Sequence, residues 1–395
     1  MQWNINLRPK VLSEVYGADA VKDLLYNSAK NKSWPVAMHF LGNTGCGKTT
    51  VAQIAAKMIV CKNPKPNGDP CCECPACKAV DDQTFNREVI LINASDSSNK
   101  GELRPLMEAA VQPSMYGKEK VIIIDEAQAL SDTKRSDSQS LLLKFLESPR
   151  PGIHWILTST EPLTNGAAIG RLMLFKFNPF YPSEIAKYLL ELFEHTTDTE
   201  SGRTYLDILG DNFDSMEEVN DWLNYVSDCA NGSIRNAVVL SEQCFKTGIF
   251  KVEGMKKEFG VTSKTDVYNI LNAVANNIKT PEVFRLVESF MSRSAVNSNA
   301  AMESTFQGML WLIANAECFK TFKQLPADCE SSWTQNRVDA LLKAPNYEKL
   351  KNKIIELSNR PYLNASLVTT ELLGILADKP AVAPTRGSVP ARGNL

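Results

Sequence analysis

One glycine-rich stretch constrains this chain more than any other, because it fits the phosphate-binding pattern G-x-x-x-x-G-K-[ST]. The stretch reads Gly42, Asn43, Thr44, Gly45, Cys46, Gly47, Lys48, Thr49, Thr50. Apolar runs on either side predict a buried strand over 36–41 and a helix over 51–60. Glycines let backbone N–H groups point at one phosphate, and the helix N-terminus adds positive charge. The pattern therefore predicts a nucleotide site in which Lys48 reaches the β- and γ-phosphates and the Thr49 hydroxyl holds Mg²⁺.

Length and charge set wider bounds on the chain. Its 395 residues are enough for two or three domains. Acidic and basic residues nearly cancel, 45 against 43, so a nucleic-acid partner would have to meet a local basic surface. No apolar run is long enough to cross a bilayer, and residues 1–6 lack the basic start and apolar core of a signal peptide. We therefore expect a cytosolic or nucleoplasmic protein with no membrane partner.

Strand and helix patterns alternate up to residue 180, and helical patterns alone follow. Short apolar runs predict strands over 89–92, 121–124, 153–157 and 174–177, with helical stretches between them. Such alternation is typical of an α/β domain with a parallel sheet. Glycines and lysines at 246–262 indicate a linker, and the Pro-, Gly- and Arg-containing stretch 379–395 predicts a disordered tail.

Two carboxylates, Asp125 and Glu126, directly follow the predicted strand at 121–124. A carboxylate at the end of such a strand holds Mg²⁺ in many nucleotide-hydrolysing proteins, and we assign that role to Asp125. Glu126 is expected to polarise the attacking water, which favours hydrolysis over phosphoryl transfer to a metabolite. The alternative is that both carboxylates simply end a strand in solvent, and the phosphate-binding pattern upstream argues against it.

Five of the ten cysteines fall within a short stretch, at Cys61, Cys71, Cys72, Cys74 and Cys77. In a reducing compartment such a cluster indicates a metal rather than disulfides. Four thiolates make a closed tetrahedral Zn²⁺ site with no position left for water, so the expected role is structural. We assign Cys61, Cys71, Cys74 and Cys77 as the ligands, with Cys72 as an alternative to Cys71.

In this order, the motifs resemble those of AAA+ clamp-loader ATPase subunits, most closely the bacterial DNA polymerase III gamma/tau type and more distantly the small subunits of replication factor C. The resemblance covers 5–245 through motifs and 263–378 through helical character alone. A four-cysteine insertion after the phosphate-binding helix is distinctive of the bacterial type. The resemblance implies an AAA+ α/β domain with a parallel sheet at 1–180 carrying a zinc module at 61–77, a helical lid at 181–250, an all-α collar or oligomerisation domain at 263–378, and the tail at 379–395.

The same resemblance implies further site residues around a bound ATP. The N-terminal segment that lies against the adenine in the family corresponds here to Arg8, Pro9, Val15 and Tyr16. A hydroxyl that senses the γ-phosphate at a strand end, the sensor 1 position, corresponds to Ser159 or Thr160.

Two arginines complete the implied mechanism. Arg171 stands in place of the family's Ser-Arg-Cys motif, without the flanking Ser and Cys, and would enter the ATP site of the neighbouring subunit as a finger. Arg235 resembles sensor 2 on the lid of its own subunit. For either arginine the alternative is an ordinary surface salt bridge. Contacts to DNA phosphates are expected near Ser98, Lys100 and Arg104, where a solvated charged face is an equal alternative.

The resemblance implies an ATPase that opens a ring-shaped sliding clamp and places it on primed DNA, with ATP, Mg²⁺ and Zn²⁺ bound. Expected partners are other loader subunits in a homo- or hetero-oligomer of five, the sliding clamp and primer–template DNA, in a bacterial or phage-infected cell. A non-hydrolysing scaffold subunit is one alternative, and the complete set of Lys48, Thr49, Asp125 and Glu126 argues against it. Another AAA+ DNA motor, such as a helicase loader or branch-migration motor, is a second, and the zinc insertion argues against that. A small-molecule kinase would not explain Arg235.

Overall fold

The computed structural model describes residues 2–81, 88–95, 112, 119–131, 136–163, 170–199, 201–259, 263–278, 298–322, 335–358, 371–372 and 374–375. The chain divides into two compact units. One comprises Met1–Phe180, Lys187–Leu192 and Gly232–Glu242, and the other comprises Tyr181–Ala186, Phe193–Asn231 and Gln243–Leu395. The predicted tail at 379–395 and the DNA-contact candidates Ser98, Lys100 and Arg104 lie outside the described residues.

A parallel five-stranded sheet forms the centre of the first unit. Its strands are β1 Ala37–Gly42, β2 Val89–Asn93, β3 Lys120–Asp125, β4 Ile153–Ser159 and β5 Met173–Phe177, in the order β2-β3-β4-β1-β5. All neighbouring strands run parallel. Every residue of β4 is buried, as expected of a strand covered on both faces. Because β4 lies between β1 and β3, the carboxyl ends of these three strands meet at one edge of the sheet.

Helices α3 Lys48–Val60 and α5 Ser136–Glu147 pack on opposite faces of this sheet. The other helices described before β5 are α1 Trp3–Asn6, α2 Asp19–Asn31 and α4 Pro75–Asp81. Helix α3 packs on one face through the fully buried Ala52, Ala55 and Ala56, whose small side chains allow a close approach. On the other face, Phe145 of α5 stacks on Trp155 of β4, with ring centroids 5.6 Å apart.

Beyond β5 the described residues form nine further helices and one isolated β-bridge, between Thr197 and Thr204. The helices are α6 Pro182–His195, α7 Tyr205–Gly210, α8 Met216–Cys229, α9 Ile234–Thr247, α10 Val252–Phe259, α11 Lys264–Ala275, α12 Ser298–Phe322, α13 Gln335–Leu342 and α14 Tyr347–Ser358. The predicted fold class, an α/β domain with a parallel sheet followed by helices, is confirmed. Within the described part of the chain, no helix combines the length and the apolar character that a membrane span requires.

The second unit contains its own apolar packing. An aromatic cluster joins Phe193, Trp222, Phe245 and Phe250, and Trp222 and Phe245 meet edge to face at 6.4 Å. Helices α11, α12, α13 and α14 share a second core built from long aliphatic and aromatic side chains. Between these regions, Asp266 at the start of α11 accepts a hydrogen bond from Lys256 Nζ at 2.8 Å. Helices α11 to α14 therefore bury apolar faces against one another, as expected of amphipathic helices.

Candidate nucleotide site and metal centre

The glycine-rich loop connects the carboxyl end of β1 to the N-terminus of α3. Gly45 and Gly47 have φ angles of +79° and +96°, in the left-handed region that glycine adopts without steric cost. A Cβ atom added at Gly45 would lie 1.9 Å from Ser233 Oγ, whereas one added at Gly47 would meet no atom within 4 Å. Packing and backbone angle therefore both require glycine at 45, and the backbone angle alone requires it at 47. A helix N-terminus after such a loop favours a bound anion.

A cavity of about 930 Å³, including the space that opens to solvent, lies beside this loop. Many residues predicted from the sequence line it, namely Arg8, Pro9, Val15, Tyr16, the loop residues 44–50, Glu126 and Arg235. Other predicted residues that the structure describes lie outside its lining, namely Gly42, Asn43, Asp125, Ser159, Thr160 and Arg171. The structure thus brings the N-terminal segment, the glycine-rich loop, Glu126 and Arg235 to a single cavity.

The cavity has an aromatic side that sequence reasoning missed. Trp3, Phe180 and Tyr188 all contribute to the lining. Tyr16 packs against Phe180 and Tyr188, with ring centroids 6.1 Å and 5.4 Å apart. The backbone N–H of Trp3 donates to Glu242 Oε2 at 3.0 Å, which ties the start of the chain to α9. Tyr188 has the spacing of an ordinary apolar helix face with Ile185 and Leu189, and no local pattern marks Trp3.

Three polar side chains meet at the carboxyl ends of β3 and β4. The Thr49 hydroxyl lies 3.1 Å from Asp125 Oδ1 and 3.4 Å from Oδ2, and the Thr158 hydroxyl donates to Asp125 Oδ1. Lys48 Nζ donates to the carbonyl of Asn43 at 2.8 Å, and its side chain is buried. Oxygen ligands of this kind suit Mg²⁺, which proteins usually hold through one or two carboxylates together with substrate phosphates.

The end of β4 directs three consecutive polar residues to different partners. Thr158 contacts Asp125, whereas the Ser159 hydroxyl lies 2.6 Å from His39 Nε2 on β1. The backbone N–H of Thr160 donates to Gln128 Oε1 at 3.3 Å. Burial lowers the pKa of His39, so the neutral imidazole is favoured beside Ser159. Thr158 was not predicted as a site residue. Successive side chains of a strand point to opposite faces of the sheet, so Thr158 and Ser159 cannot both face Asp125.

Glu126 follows Asp125 with a φ angle of +55°, which is uncommon for a residue other than glycine. The Gln128 side-chain amide donates to Glu126 Oε2, and its oxygen accepts the hydrogen bond from Thr160. Gln128 therefore joins the carboxylate at the end of β3 to the end of β4. This residue was also missed from the sequence, because it lies in the short helical turn Ala127–Ser131 that carries no motif of its own.

Positive charge is concentrated around the cavity. Arg8 and Arg235 both line it, together with Lys48. Burial foremost, and then the charge of Arg235, lower the pKa of Arg8, while the Asp125 carboxylate raises it. Cationic side chains held close together in this way are suited to a polyanion such as a triphosphate.

Arg171 lies away from this cavity. Its Nη2 atom forms an ion pair with Glu147 Oε1 at 3.2 Å, and both side chains are largely exposed. The neighbouring residues 164–169 lie outside the described part of the chain.

Four cysteine thiols come together after α3. The Sγ atoms of Cys61, Cys71, Cys74 and Cys77 all lie within 4.8 Å of one another. Cys61 Sγ is 3.5 Å from Cys71 Sγ, which is 4.0 Å from Cys77 Sγ. Cys72 Sγ instead lies 3.7 Å from the carbonyl oxygens of Lys10 and Pro70. Of the two alternatives left open by the spacing, Cys71 is therefore the one that shares the cluster.

The donor set of this cluster fits a tetrahedral metal such as Zn²⁺. Zn–S bonds of about 2.3 Å place the four sulfur atoms about 3.8 Å apart, close to the distances between these thiols. Backbone N–H groups of Glu73 and Cys74 help lower the pKa of Cys71 to about 6, whereas burial raises the pKa of Cys77. The four cysteines can thus hold a metal, and no water-accessible ligand position is needed.

Comparison with known proteins identifies similar chains. A family model described as DNA polymerase III, delta subunit, matches residues 17–180. The chain is 30% identical over 240 residues to DNA polymerase III subunit gamma/tau of Mycoplasma pneumoniae, covering 60% of this chain and 31% of that protein. It is 26% identical over 368 residues to DNA polymerase III subunit tau of Bacillus subtilis, covering 87% and 59%. The chain spans 31% to 59% of the length of these two relatives.

Solved structures show weaker similarity. The RuvB Holliday junction branch migration motor of Thermotoga maritima has a TM-score of 0.44 and 15% identity, covering 81% of this chain and 99% of that one. A DNA clamp loader delta protein of Bacillus subtilis has a TM-score of 0.35 and 12% identity, covering 90% and 99%. Both scores lie below 0.5, and neither similarity bears on function.

Proposed function

We propose, from the confirmed resemblance of this chain to DNA polymerase III gamma/tau subunits, that it is an ATPase subunit of a sliding-clamp loader. In this role the chain uses ATP binding and hydrolysis to open a ring-shaped clamp and place it on primed DNA. The observation that carries the proposal is the cavity that the glycine-rich loop, Glu126 and Arg235 border together. The two arginines and Lys48 at this cavity supply the charge that a triphosphate requires.

The residues around the cavity divide the work between them. Backbone N–H groups of the loop and Lys48 would bind the β- and γ-phosphates, and Thr49 with Asp125 would hold Mg²⁺. Mg²⁺, when bound, neutralises charge on the phosphates. Glu126 would orient and polarise the attacking water, and Arg235 would contact the γ-phosphate side. The distance of 3.1 Å between Thr49 Oγ1 and Asp125 Oδ1 supports a shared ion site for these two residues.

The N-terminal segment and the strand end would complete the site. Arg8, Pro9, Val15 and Tyr16 would form the wall beside the adenine, supported by their place in the cavity lining. Of the two sensor 1 candidates, the Ser159 hydroxyl is already engaged by His39, whereas Thr160 is linked to Glu126 through Gln128 by its backbone N–H. We therefore favour Thr160 for this role.

Arg171 would act at the ATP site of a neighbouring subunit, where its fixed charge would offset charge that develops on the γ-phosphoryl group. Its exposure and its place outside the cavity of its own chain support this role. Replacing it with alanine should leave ATP binding intact and lower DNA-stimulated turnover by about 10³-fold, the usual lower range for an arginine finger. Arg203→Ala is the matched control, because Arg203 is also an exposed arginine in an ion pair, with Asp211. Equal turnover in both variants would remove Arg171 from the mechanism.

The remaining parts of the proposal concern assembly. Residues 181–250 would serve as the lid and 263–378 as the collar that holds a homo- or hetero-oligomer of five subunits together. The sliding clamp and primer–template DNA would be the further partners, in the cytoplasm of a bacterial or phage-infected cell. Cys61, Cys71, Cys74 and Cys77 would hold Zn²⁺ as a structural ion, supported by the mutual proximity of their thiols.

The decisive experiment measures ATP turnover by the full chain with its loader subunits, with and without primed DNA and a sliding clamp from the same host. Stimulation that requires DNA and clamp together is the expected result. Stimulation by DNA alone would indicate another kind of DNA motor. ATP binding without turnover under every condition would indicate a non-hydrolysing scaffold subunit.

A further inference from the structure

The N-terminal segment 8–16 contributes to the wall of the nucleotide cavity and also contacts the cysteine segment 61–77. Both of its ends line the nucleotide cavity, through Arg8 and Pro9 at one end and Val15 and Tyr16 at the other. The middle of the segment does not line the cavity: Val11 and Leu12 are buried, Leu12 fully inaccessible to solvent, whereas Lys10, Ser13 and Glu14 are exposed. What holds this middle therefore also determines where the two ends stand.

The middle is held chiefly by Asp69, which lies between the first two cysteines of the cluster in sequence. Asp69 is 1% exposed, and both of its carboxylate oxygens are fully engaged. Oδ1 accepts from the Leu12 N–H at 3.0 Å and from the Tyr26 hydroxyl at 3.0 Å. Oδ2 accepts from the Ser13 hydroxyl at 2.7 Å and from Asn67 Nδ2 at 2.8 Å. A buried carboxylate that is bonded by four donors is well satisfied, and it fixes the positions of those donors.

Further contacts reach the same segment from the same side. Lys57 of α3 is 1% exposed, and its Nζ atom donates to the Lys10 carbonyl at 2.7 Å and to Asp81 at 2.6 Å. The thiol of Cys72 lies 3.7 Å from that Lys10 carbonyl. The segment 61–77 and the helix beside it thus contact 8–16 at Lys10, Leu12 and Ser13.

We propose that Asp69 is a positioning residue for nucleotide binding, which transmits the order of the four-cysteine segment to the cavity wall formed by residues 8–16. This inference rests on the proposed nucleotide site and adds a role for the cysteine cluster beyond local stability. A wall that is already ordered costs less to fix when nucleotide binds, because the entropy has been spent on folding. Loosening the cysteine segment weakens nucleotide binding through Asp69, although none of its four clustered cysteines lines the cavity.

The first arm of the test is Asp69→Asn in the full chain. The asparagine amide keeps one acceptor oxygen but presents N–H donors on its other side, where Ser13 or the Leu12 N–H also donates. The hydrogen bonds on that side of residue 69 are therefore lost. We expect the Kd for a fluorescent ATP analogue to rise between about fivefold and 150-fold, the usual range for coupling between sites. The KM for ATP should rise by a similar factor with kcat nearly unchanged, and metal content should be unchanged. Tyr26→Phe, which removes one of the four bonds, should give a smaller rise.

The matched control is Ile153→Ala. Ile153 is buried at the amino end of β4, the end of the strand opposite to the cavity. This variant therefore lowers the melting temperature without changing Asp69 or its four hydrogen-bond donors. Nucleotide affinity should stay at the wild-type value. If Ile153→Ala and Asp69→Asn weaken binding alike at equal loss of melting temperature, Asp69 acts only through global stability and the inference is overturned.

The second arm removes the metal from wild type and from Asp69→Asn with a chelator that prefers zinc to magnesium. We expect removal to weaken nucleotide binding in wild type and to have little further effect in the variant, because both changes act through one contact. Effects that simply multiply would refute transmission through Asp69. If Asp69→Asn does not fold, Tyr26→Phe takes its place in the same cycle. Failure of the wild-type chain to bind ATP would refute the proposed function, whereas an unchanged Kd in a folded Asp69 variant refutes this inference alone.

Discussion

The two loop glycines offer a matched pair of substitutions whose costs differ for a structural reason. Gly45→Ala and Gly47→Ala each place a Cβ on a residue with positive φ, which costs about 1–2 kcal/mol. At Gly45 the new Cβ would also lie 1.9 Å from Ser233 Oγ and 3.0 Å from Ser233 Cβ. Ser233 must then turn away and lose the hydrogen bond it accepts from the Asn236 N–H, worth about 1 kcal/mol at a helix start. The residual crowding adds about 1–3 kcal/mol.

We therefore expect Gly45→Ala to destabilise the first unit by roughly 3–6 kcal/mol and Gly47→Ala by only about 1–2 kcal/mol. The assay is thermal and urea unfolding without nucleotide, followed at the transition that added ATP shifts upward in wild type. The double variant Gly45→Ala with Ser233→Ala should cost less than the sum of its single changes, because the second removes the hydroxyl that the first would strike. Equal costs at 45 and 47, or additive costs in the double variant, would refute this account of the loop.

Three further outcomes follow from the site. Burial lowers the pKa of His39 below the unfolded value of 6.5, so its contribution to stability is full above pH 6.5 and is lost as the pH falls towards the folded pKa. His39→Gln should therefore reduce the fall of the melting temperature between pH 7.5 and 5, and an unaltered fall would contradict this. Gln128→Leu removes the amide that donates to Glu126 Oε2, which leaves this carboxylate free to polarise water, so phosphate release without DNA should rise. Unchanged or lower release would show that this hydrogen bond does not restrain Glu126. Cys71→Ser should lose the bound metal and Cys72→Ser should retain it, as metal analysis of the purified variants can show, and the reverse pattern would assign the ligand to Cys72.

Local sequence patterns predicted the architecture because they depend on nearest neighbours in the chain. A continuous β-branched run such as 121–124 is typical of a strand buried on both faces, as in a parallel sheet, and the structure has such a strand there. The cysteine spacing likewise predicted a cluster, since thiols so close in sequence can converge with few ordered residues between them. The choice between Cys71 and Cys72 needed the structure, because it depends on which thiol turns inward.

Contacts between residues distant in sequence could not be predicted in this way. Asp69 sits in a stretch that reads as a loop, and its importance arises because Leu12 and Tyr26 reach it from more than 40 residues away. Trp3 lines the cavity beside the glycine-rich loop, and its backbone N–H bonds to Glu242, which lies 239 residues away in sequence. Such contacts have no period and no motif, since they are set by how the elements pack.

The amino-acid sequence by itself determined the chemistry this protein can carry: a phosphate-binding loop, paired carboxylates at a strand end and a group of thiols. Each of these depends on residues adjacent in the chain, whose spacing is the same in any fold. Only the tertiary structure decided that Thr158 rather than Ser159 meets Asp125, and that the cysteine segment contacts the wall of the cavity. Strand order and helix packing bring these groups together. A buried donor has no water to bond with, so it bonds to whichever acceptor the fold places beside it.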